Sequence, residues 1–162
     1  MTEDIKQRII ADMEEMTELA EKYSAVTVEI ISGDIDERLE ELVDARGEIT
    51  DTIGERRGDI EAACVECTSE EADLVHKMIV GARVPLGLSK ELREIHKTAV
   101  RMHSVYLSVS EKEQQAASRV DARIKELRSE LAAVNNDRKT TSSYSQIHTG
   151  IGGAGSSFNG RM

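Results

Sequence analysis

Aromatic residues and proline are scarce in this chain of 162 residues, which has one phenylalanine, three tyrosines, no tryptophan and a single proline. Aromatic residues are enriched in strands, so their near absence argues against a sheet. Charged residues make up 32% of the chain, which is typical of long helices with narrow apolar seams. We therefore expect an all-α protein with one helical domain and a tail.

Positive charge is also in short supply, because the formal net charge is -10 at pH 7. A surface of this sign is repelled by a nucleic-acid backbone and by an anionic membrane. We expect neither nucleic-acid binding nor membrane insertion, and a basic or neutral protein surface is the partner that the charge allows.

No apolar run approaches the roughly 20 residues that a membrane-spanning helix needs. The first residues carry acids where a signal peptide needs bases followed by an apolar core. These two features predict a cytoplasmic protein. We accordingly expect Cys64 and Cys67 to be reduced, without a structural disulfide.

The first two apolar patterns have helical spacing, with steps of three, four and seven residues. They predict helices over about residues 2–31 and 34–66. The first seam consists of Ile5, Ile9, Met13 or Met16, Leu19, Tyr23, Val26 and Ile30. The second consists of Ile35, Leu39, Leu42, Arg46, Ile49, Ile53 and Ile60, which is coiled-coil spacing with one charged intruder, Arg46.

Capping signals set the expected helix boundaries. Asp34 with Glu37 can start the second helix after Ser32 and Gly33, where the sequence leaves open a turn or a bend, and so three or four main helices. Thr68 with Glu71 forms a capping box for a short helix over about residues 69–82. The only proline, Pro85, marks the clearest break.

A long last helix is expected over about residues 89–136, with a seam that ends in Ile124, Leu127, Leu131 and Val134. Glu113 stands where this seam needs an apolar residue, and the step of four from Val120 to Ile124 repeats the step of four from Ala116 to Val120, which is a local stutter. The natural architecture is an elongated antiparallel helical bundle, or coiled-coil hairpin, over residues 1–138.

Residues 139–162 are rich in glycine, serine and threonine and predict a flexible tail, because they cannot bury enough apolar area to offset their ordering entropy. This tail nevertheless contains Tyr144, Ile147 and Phe158. A simple spacer has no need of such side chains, whereas a segment that folds onto a partner does.

Signs of catalytic chemistry are weak. Cys64 and Cys67 have CxxC spacing but follow acidic helical residues, which favours two helix-face cysteines over a redox pair or half of a zinc site. His96 and His103 share a helix face without spacing that demands a metal. No phosphate loop, metalloprotease motif or nucleophile elbow is present, so we expect no enzyme, no cofactor and no metal.

One enzyme family offers a comparison. The stretch from Ile35 to Arg46 is similar to the first helix of the all-helical chorismate mutases, which implies that Arg46 binds a substrate carboxylate and that Arg57 supplies another charge. Where that family places a second arginine, this chain has Glu29, which would repel a dicarboxylate substrate. The other interpretation of Arg46 is a side chain at the edge of the seam with its charge in water.

A second resemblance covers most of the chain. The leucine-rich helix from Gly33 to Ile53 with its central arginine, and the carboxyl end from Ile124 to Val134 through Arg138, Lys139 and Tyr144 to SSFNGRM at 156–162, resemble the flagellar export chaperones of the FlgN and FliT type. The glycine-rich stretch Gly150 to Gly155 departs from that family's pattern.

The resemblance implies a cytoplasmic chaperone without catalytic activity. Such a protein binds the helical terminus of a late flagellar substrate, a hook–filament junction or filament cap protein, and delivers it to the export gate. The expected partner-binding residues are Leu127, Leu131 and Val134 in a helix groove, with Tyr144, Ile147 and Phe158 as tail anchors. For Leu127 and Leu131, simple core residues are an equal alternative.

The main alternative from another class is a structural or scaffold helical protein that self-associates through its long seam and carries no cargo. The sequence leaves the oligomeric state, including a homodimer, open.

Overall fold

The computed structural model describes residues 1–33 and 36–150, with side chains as far as residue 136. In these ranges the chain contains four helices and no strand: α1 Glu3–Ser32, α2 Leu39–Cys64, α3 Ser69–Ile79 and α4 Lys90–Gly150. The helices pack against each other, so the predicted all-α bundle is confirmed. The break after Ser32 is a turn between two helices and not a bend within one, so the described ranges contain four helices rather than three.

The chain divides into two compact units, Met1–Arg119 and the unit that begins at Val120. Within the first unit, ion pairs between α1 and residues just outside the two ends of α2 give the directions of these helices. Arg38 pairs with Glu29 at 3.1 Å near the turn, and Arg8 pairs with Glu66 at 3.0 Å at the other end. Because one residue number rises as the other falls, α1 and α2 are antiparallel.

The part of α4 in the first unit runs in the same direction as α1. Lys6 Nζ lies 2.5 Å from Glu94 Oε2, and Lys112 Nζ donates to Ser24 Oγ at 2.6 Å. Residue numbers therefore rise together along the two helices. This part of α4 packs against α1 and α2, as the sequence predicts, and α2 is antiparallel to both.

The short helix α3 lies in the connection between α2 and α4, as expected. Its capping box is present, with the Thr68 hydroxyl accepting from Glu71 N and the Glu71 carboxylate accepting from Thr68 N. The helix ends at Ile79, a few residues before the predicted end. Gly81 follows with φ 71°, a left-handed conformation that suits glycine and stops the helix.

The core of the first unit joins side chains of all four helices. A fully buried isoleucine or methionine contributes about 1.5–3 kcal/mol through the apolar area removed from water. The cluster consists of Ile5, Ile9, Met13, Met16, Ile60, Ala63, Val75, Met78, Ile79, Leu92, Ile95, Ala99 and Met102.

Helix α1 also buries polar residues, which its apolar seam alone does not predict. Lys6, Thr17, Ser24 and Thr27 are all buried. The hydroxyls of Thr17 and Thr27 donate to the carbonyls of Met13 and Tyr23 in the same helix, at 2.8 and 2.9 Å. Helix α1 contacts both α2 and α4, so more of its circumference is covered than one apolar stripe would occupy.

The predicted start of the second helix at residue 34 is wrong. Helix α2 begins at Leu39, and Arg38 stands at the N-cap position without a side-chain capping bond. The proposed cap, Asp34, lies outside the described residues. The chain needs residues up to Arg38 to reverse direction between two antiparallel helices, so the capping pattern is outweighed by the geometry of the connection.

The predicted end of the last helix near residue 136 is corrected as well, because α4 continues to Gly150. Between Leu88 and Gly150 the sequence contains neither glycine nor proline, so no residue in that stretch interrupts a helical backbone. Part of the predicted tail, residues 139–150, is therefore helical in backbone, and residues 151–162 lie outside the described range.

Candidate functional site

A row of exposed apolar side chains lies on α4 in the unit that begins at Val120. We call Ile124, Leu127, Leu131 and Val134 the α4 row. Their steps of three, four and three place them along one helix face. Each is between 40% and 63% exposed. The alternative interpretation of Leu127 and Leu131 as core residues therefore does not hold in the part of the chain that the structure describes.

The α4 row differs from the other exposed apolar residues by its continuity. Leu86, for example, is exposed on its own, which is normal on a protein surface, and Val100 and Leu107 are only two residues, seven positions apart, beside a groove between α3 and α4. A contiguous apolar stripe with polar rims is typical of an interaction surface. The row is thus the feature of the described chain best suited to hold another helix.

Charged side chains of both signs flank the α4 row. Arg123 Nη1 lies 3.2 Å from Glu126 Oε2 and 3.3 Å from Glu130 Oε1, so this edge carries ion pairs along the helix. Asp121 and Arg128 are exposed on the other edge. An apolar stripe between two charged edges is the arrangement found in coiled coils, where the edges set partner choice and orientation.

The remaining predicted anchors are only partly described. Tyr144 and Ile147 lie on α4, but their side chains are outside the described residues. Phe158 lies outside the described residues altogether. Ile124 was not among the predicted partner-binding residues, although its spacing from Leu127 was a signal that could have placed it there.

Arg46 and Glu113, the two residues that interrupt the predicted seams, form an ion pair with each other. Their side chains approach to 2.5 Å within the first unit. The Arg46 guanidinium also donates to the Tyr23 hydroxyl and lies 4.6 Å from the centre of that ring. The Thr27 hydroxyl lies 3.3 Å from the same Glu113 carboxylate and shares its single proton between that carboxylate and the closer Tyr23 carbonyl. We call these four residues the polar layer of the bundle.

The arginines that the chorismate mutase comparison assigns to substrate binding already have partners within this chain. Arg46 already contacts a carboxylate and a tyrosine of its own chain, and its side chain is only 19% exposed. Glu29, the residue at the second expected arginine position, pairs with Arg38. Arg57, the other charge considered, is directed to Glu61 at 3.4 Å. The described geometry thus gives these arginines structural partners.

The two cysteines are free and half-buried at the end of α2 and in the turn that follows. Burial raises the pKa of the Cys64 thiol to about 11, and the neighbouring Cys67 and Glu61 act in the same direction. Burial also raises the pKa of Cys67, with Glu71 adding to the effect. A redox-active CxxC pair needs a lowered thiol pKa, so this environment is the opposite of what that chemistry requires.

We expect Cys64 to react slowly with thiol reagents. Its thiolate fraction at pH 8 should be roughly a hundredfold below that of an unperturbed cysteine, because the raised pKa keeps the thiol protonated. Iodoacetamide labelling followed by peptide mass spectrometry measures the rate, with glutathione as the reference thiol. Labelling of Cys64 as fast as glutathione would show that the thiol is neither buried nor shifted.

A second surface feature is a groove of about 370 Å³ between α3 and α4 in the first unit. His96 and His103, predicted to share a face, both line it. The His103 ring lies with Nε2 2.8 Å from the Met78 carbonyl oxygen, so Nε2–H donates to the end of α3. His103 therefore ties α3 to α4. Among the described residues, no group of three or more histidine, cysteine or acidic side chains could hold a metal ion.

Comparisons with protein-family models, with curated proteins and with solved structures find no match to the chain. None of the helices in the described ranges has the combination of length and apolar character required to cross a membrane.

Proposed function

We propose that this chain is a binding protein that captures an amphipathic helix of another protein on the α4 row. The exposure of Ile124, Leu127, Leu131 and Val134 along one helix face carries this proposal. Recognition of this kind places the apolar face of the incoming helix against apolar residues spaced by three and four. The α4 row has that spacing over three successive steps.

The physics of the row favours a helical partner over an extended one. A second helix can insert its apolar side chains between those of the row in knobs-into-holes fashion, and its backbone is already satisfied by its own hydrogen bonds. An extended peptide that binds by strand addition would need a sheet edge for its backbone groups, and the described residues contain no strand. The net charge of -10 favours a neutral or basic partner.

We propose that in the cell this chain acts in the cytoplasm as a flagellar export chaperone of the FlgN and FliT type. The partner would be the helical terminus of a late substrate, a hook–filament junction or filament cap protein, passed on to the export gate. Support comes from the resemblance of Gly33 to Ile53 and of Ile124 to Val134 to that family. Exposed apolar termini of such substrates fit a role that protects them until export.

Co-purification from the source cell tests this proposal. We expect the full chain to retain a flagellar junction or cap protein, identified by mass spectrometry, and to lose it when a peptide of that protein's helical terminus is added in excess. Recovery of an enzyme complex or of the chain alone would contradict the export-chaperone role. The peptide competition separates a specific complex from adhesion to an apolar surface.

A further inference from the structure

The charges that flank the α4 row have an order that is complementary to itself. Val120 lies one turn before Ile124 and extends the heptad pattern of the row. Along one edge of this pattern the residues are Asp121 and then Arg128, an acid followed by a base. Along the other edge they are Arg123 and then Glu130, a base followed by an acid. Each edge therefore changes sign from one heptad to the next.

We infer that the α4 row docks against the same row of a second copy of this chain, with the two helices antiparallel. Antiparallel coiled coils pair the two kinds of core position with each other. One register places Ile124 opposite Leu127 of the second copy and Val120 opposite Leu131 of the second copy. Symmetry repeats both contacts, so four apolar layers form without a gap.

In this register every flanking charge meets its opposite. Arg123 faces Glu130 of the second copy, and Asp121 faces Arg128 of the second copy. The two-fold axis duplicates both pairs, so four ion pairs border the four apolar layers. Opposite charges at these edges select the partner and the orientation in helix pairs.

Other arrangements of the same two rows bring like charges together. A parallel pair would place Arg123 against Arg128 of the second copy. An antiparallel pair shifted by one heptad in one direction would oppose Glu130 to Glu130 and Arg128 to Arg128. The shift in the other direction would oppose Arg123 to Arg123 and Asp121 to Asp121. Charge therefore singles out one register and one orientation.

Forming the pair requires only a modest change within each copy. Arg123 contacts Glu130 of its own helix at 3.3 Å, and the two side chains are 27% and 63% exposed. Exposed pairs of this kind contribute about 0–1 kcal/mol, so Arg123 can exchange one Glu130 for the other at little cost. The apolar layers then supply the net driving force.

The contact is short, and this sets its strength. A few apolar layers per copy bury less than the roughly 1,200–2,000 Å² of stable protein interfaces. We therefore expect a concentration-dependent dimer in the micromolar range or weaker. This dimer would cover the row proposed for partner capture, but the inference stands on the charge pattern and does not depend on that function.

Sedimentation equilibrium of the full chain over a wide concentration range tests the inference. We expect a monomer–dimer equilibrium in the unaltered protein. Arg123→Glu and Glu130→Arg should each weaken dimerisation about tenfold, because each converts two attractive contacts into two repulsive ones. The double variant Arg123→Glu with Glu130→Arg should restore dimerisation to within about a factor of two. As a control, Arg57→Glu on α2 makes the same change in net charge as Arg123→Glu and should leave dimerisation unchanged.

Three results would overturn the inference. The first is a monomer at all concentrations, and the second is a dimer whose dissociation constant neither single charge reversal changes. The third is a dimer that Arg123→Glu strengthens, because Glu at position 123 would attract Arg128 in a parallel pair. A monomeric chain that still retains a flagellar partner would reject the self-association and leave the proposed function intact. A dimer with the predicted charge dependence that retains no partner would support the self-association and reject the proposed function.

Discussion

An Ile95→Ala variant is expected to lose about 2–5 kcal/mol of unfolding free energy. Ile95 on α4 is fully buried and belongs to the core cluster that includes Ile9 of α1, Ile60 of α2 and Val75 of α3. Removing most of its side chain gives up the transfer free energy of the lost carbons and leaves a cavity among residues of four helices. Since small domains are stable by about 5–15 kcal/mol, this is a substantial fraction.

Urea unfolding followed by circular dichroism at 222 nm measures the loss. Leu107→Ala is the matched control, because Leu107 is an aliphatic residue of the same size on the same helix and is 69% exposed. We expect the control to stay within about 0.5 kcal/mol of the unaltered protein. Equal effects at the two positions would mean that α4 does not pack in the described way.

Replacing Glu113 by alanine is expected to reduce the unfolding free energy by about 1–3 kcal/mol. The change leaves the Arg46 guanidinium, which is 19% exposed, without its carboxylate partner. We place the loss below that of a fully buried pair because Glu113 is 37% exposed and water can reach the site. Tyr23 would remain as the main contact of Arg46.

The paired variant Arg46→Met with Glu113→Leu is expected to be as stable as the unaltered protein or more stable, because two apolar residues replace two charges that need each other. Glu61→Ala provides the control, since the Arg57–Glu61 pair is 48% and 60% exposed and should contribute less than about 0.5 kcal/mol. If Glu113→Ala lowers the unfolding free energy no more than Glu61→Ala does, the ion pair of the polar layer does not stabilise the bundle.

The polar layer illustrates what a single sequence can and cannot predict. Periodicity identified Arg46 and Glu113 as two separate interruptions of otherwise apolar seams. Their pairing depends on the relative register of α2 and α4, which are separated by the α3 connection. Register between distant helices is set by the packing of whole side-chain sets, and no local pattern contains it.

Helix existence was predicted well, and helix ends were predicted where local chemistry controls them. The Thr68–Glu71 capping box and the stop near Gly81 are local features, and both are present. The start of α2 and the end of α4 were placed wrongly. In the first case the chain reversal before Leu39 outweighs a capping pattern, and in the second the composition of residues 139–149 suggested a tail although no helix breaker is present there.

The shared helix face of the α4 row could be predicted from the sequence, whereas its exposure could not. Spacing placed Leu127, Leu131 and Val134 on one face, yet spacing alone is the same for a buried seam and for an open one. Whether such a face is covered depends on which side chains surround it in the folded chain, and no local spacing contains that information. The structure supplies that information for side chains up to residue 136.

The most direct test of the account is to remove the α4 row and measure partner retention. Leu127→Ser with Leu131→Ser is compared with Leu86→Ser and Leu107→Ser, which remove the same two side chains from exposed positions outside the row. Both variants should keep the helical circular dichroism of the unaltered chain. We predict at least a tenfold loss of the co-purified partner for the row variant and none for the control. Full retention by the row variant would contradict partner capture on α4.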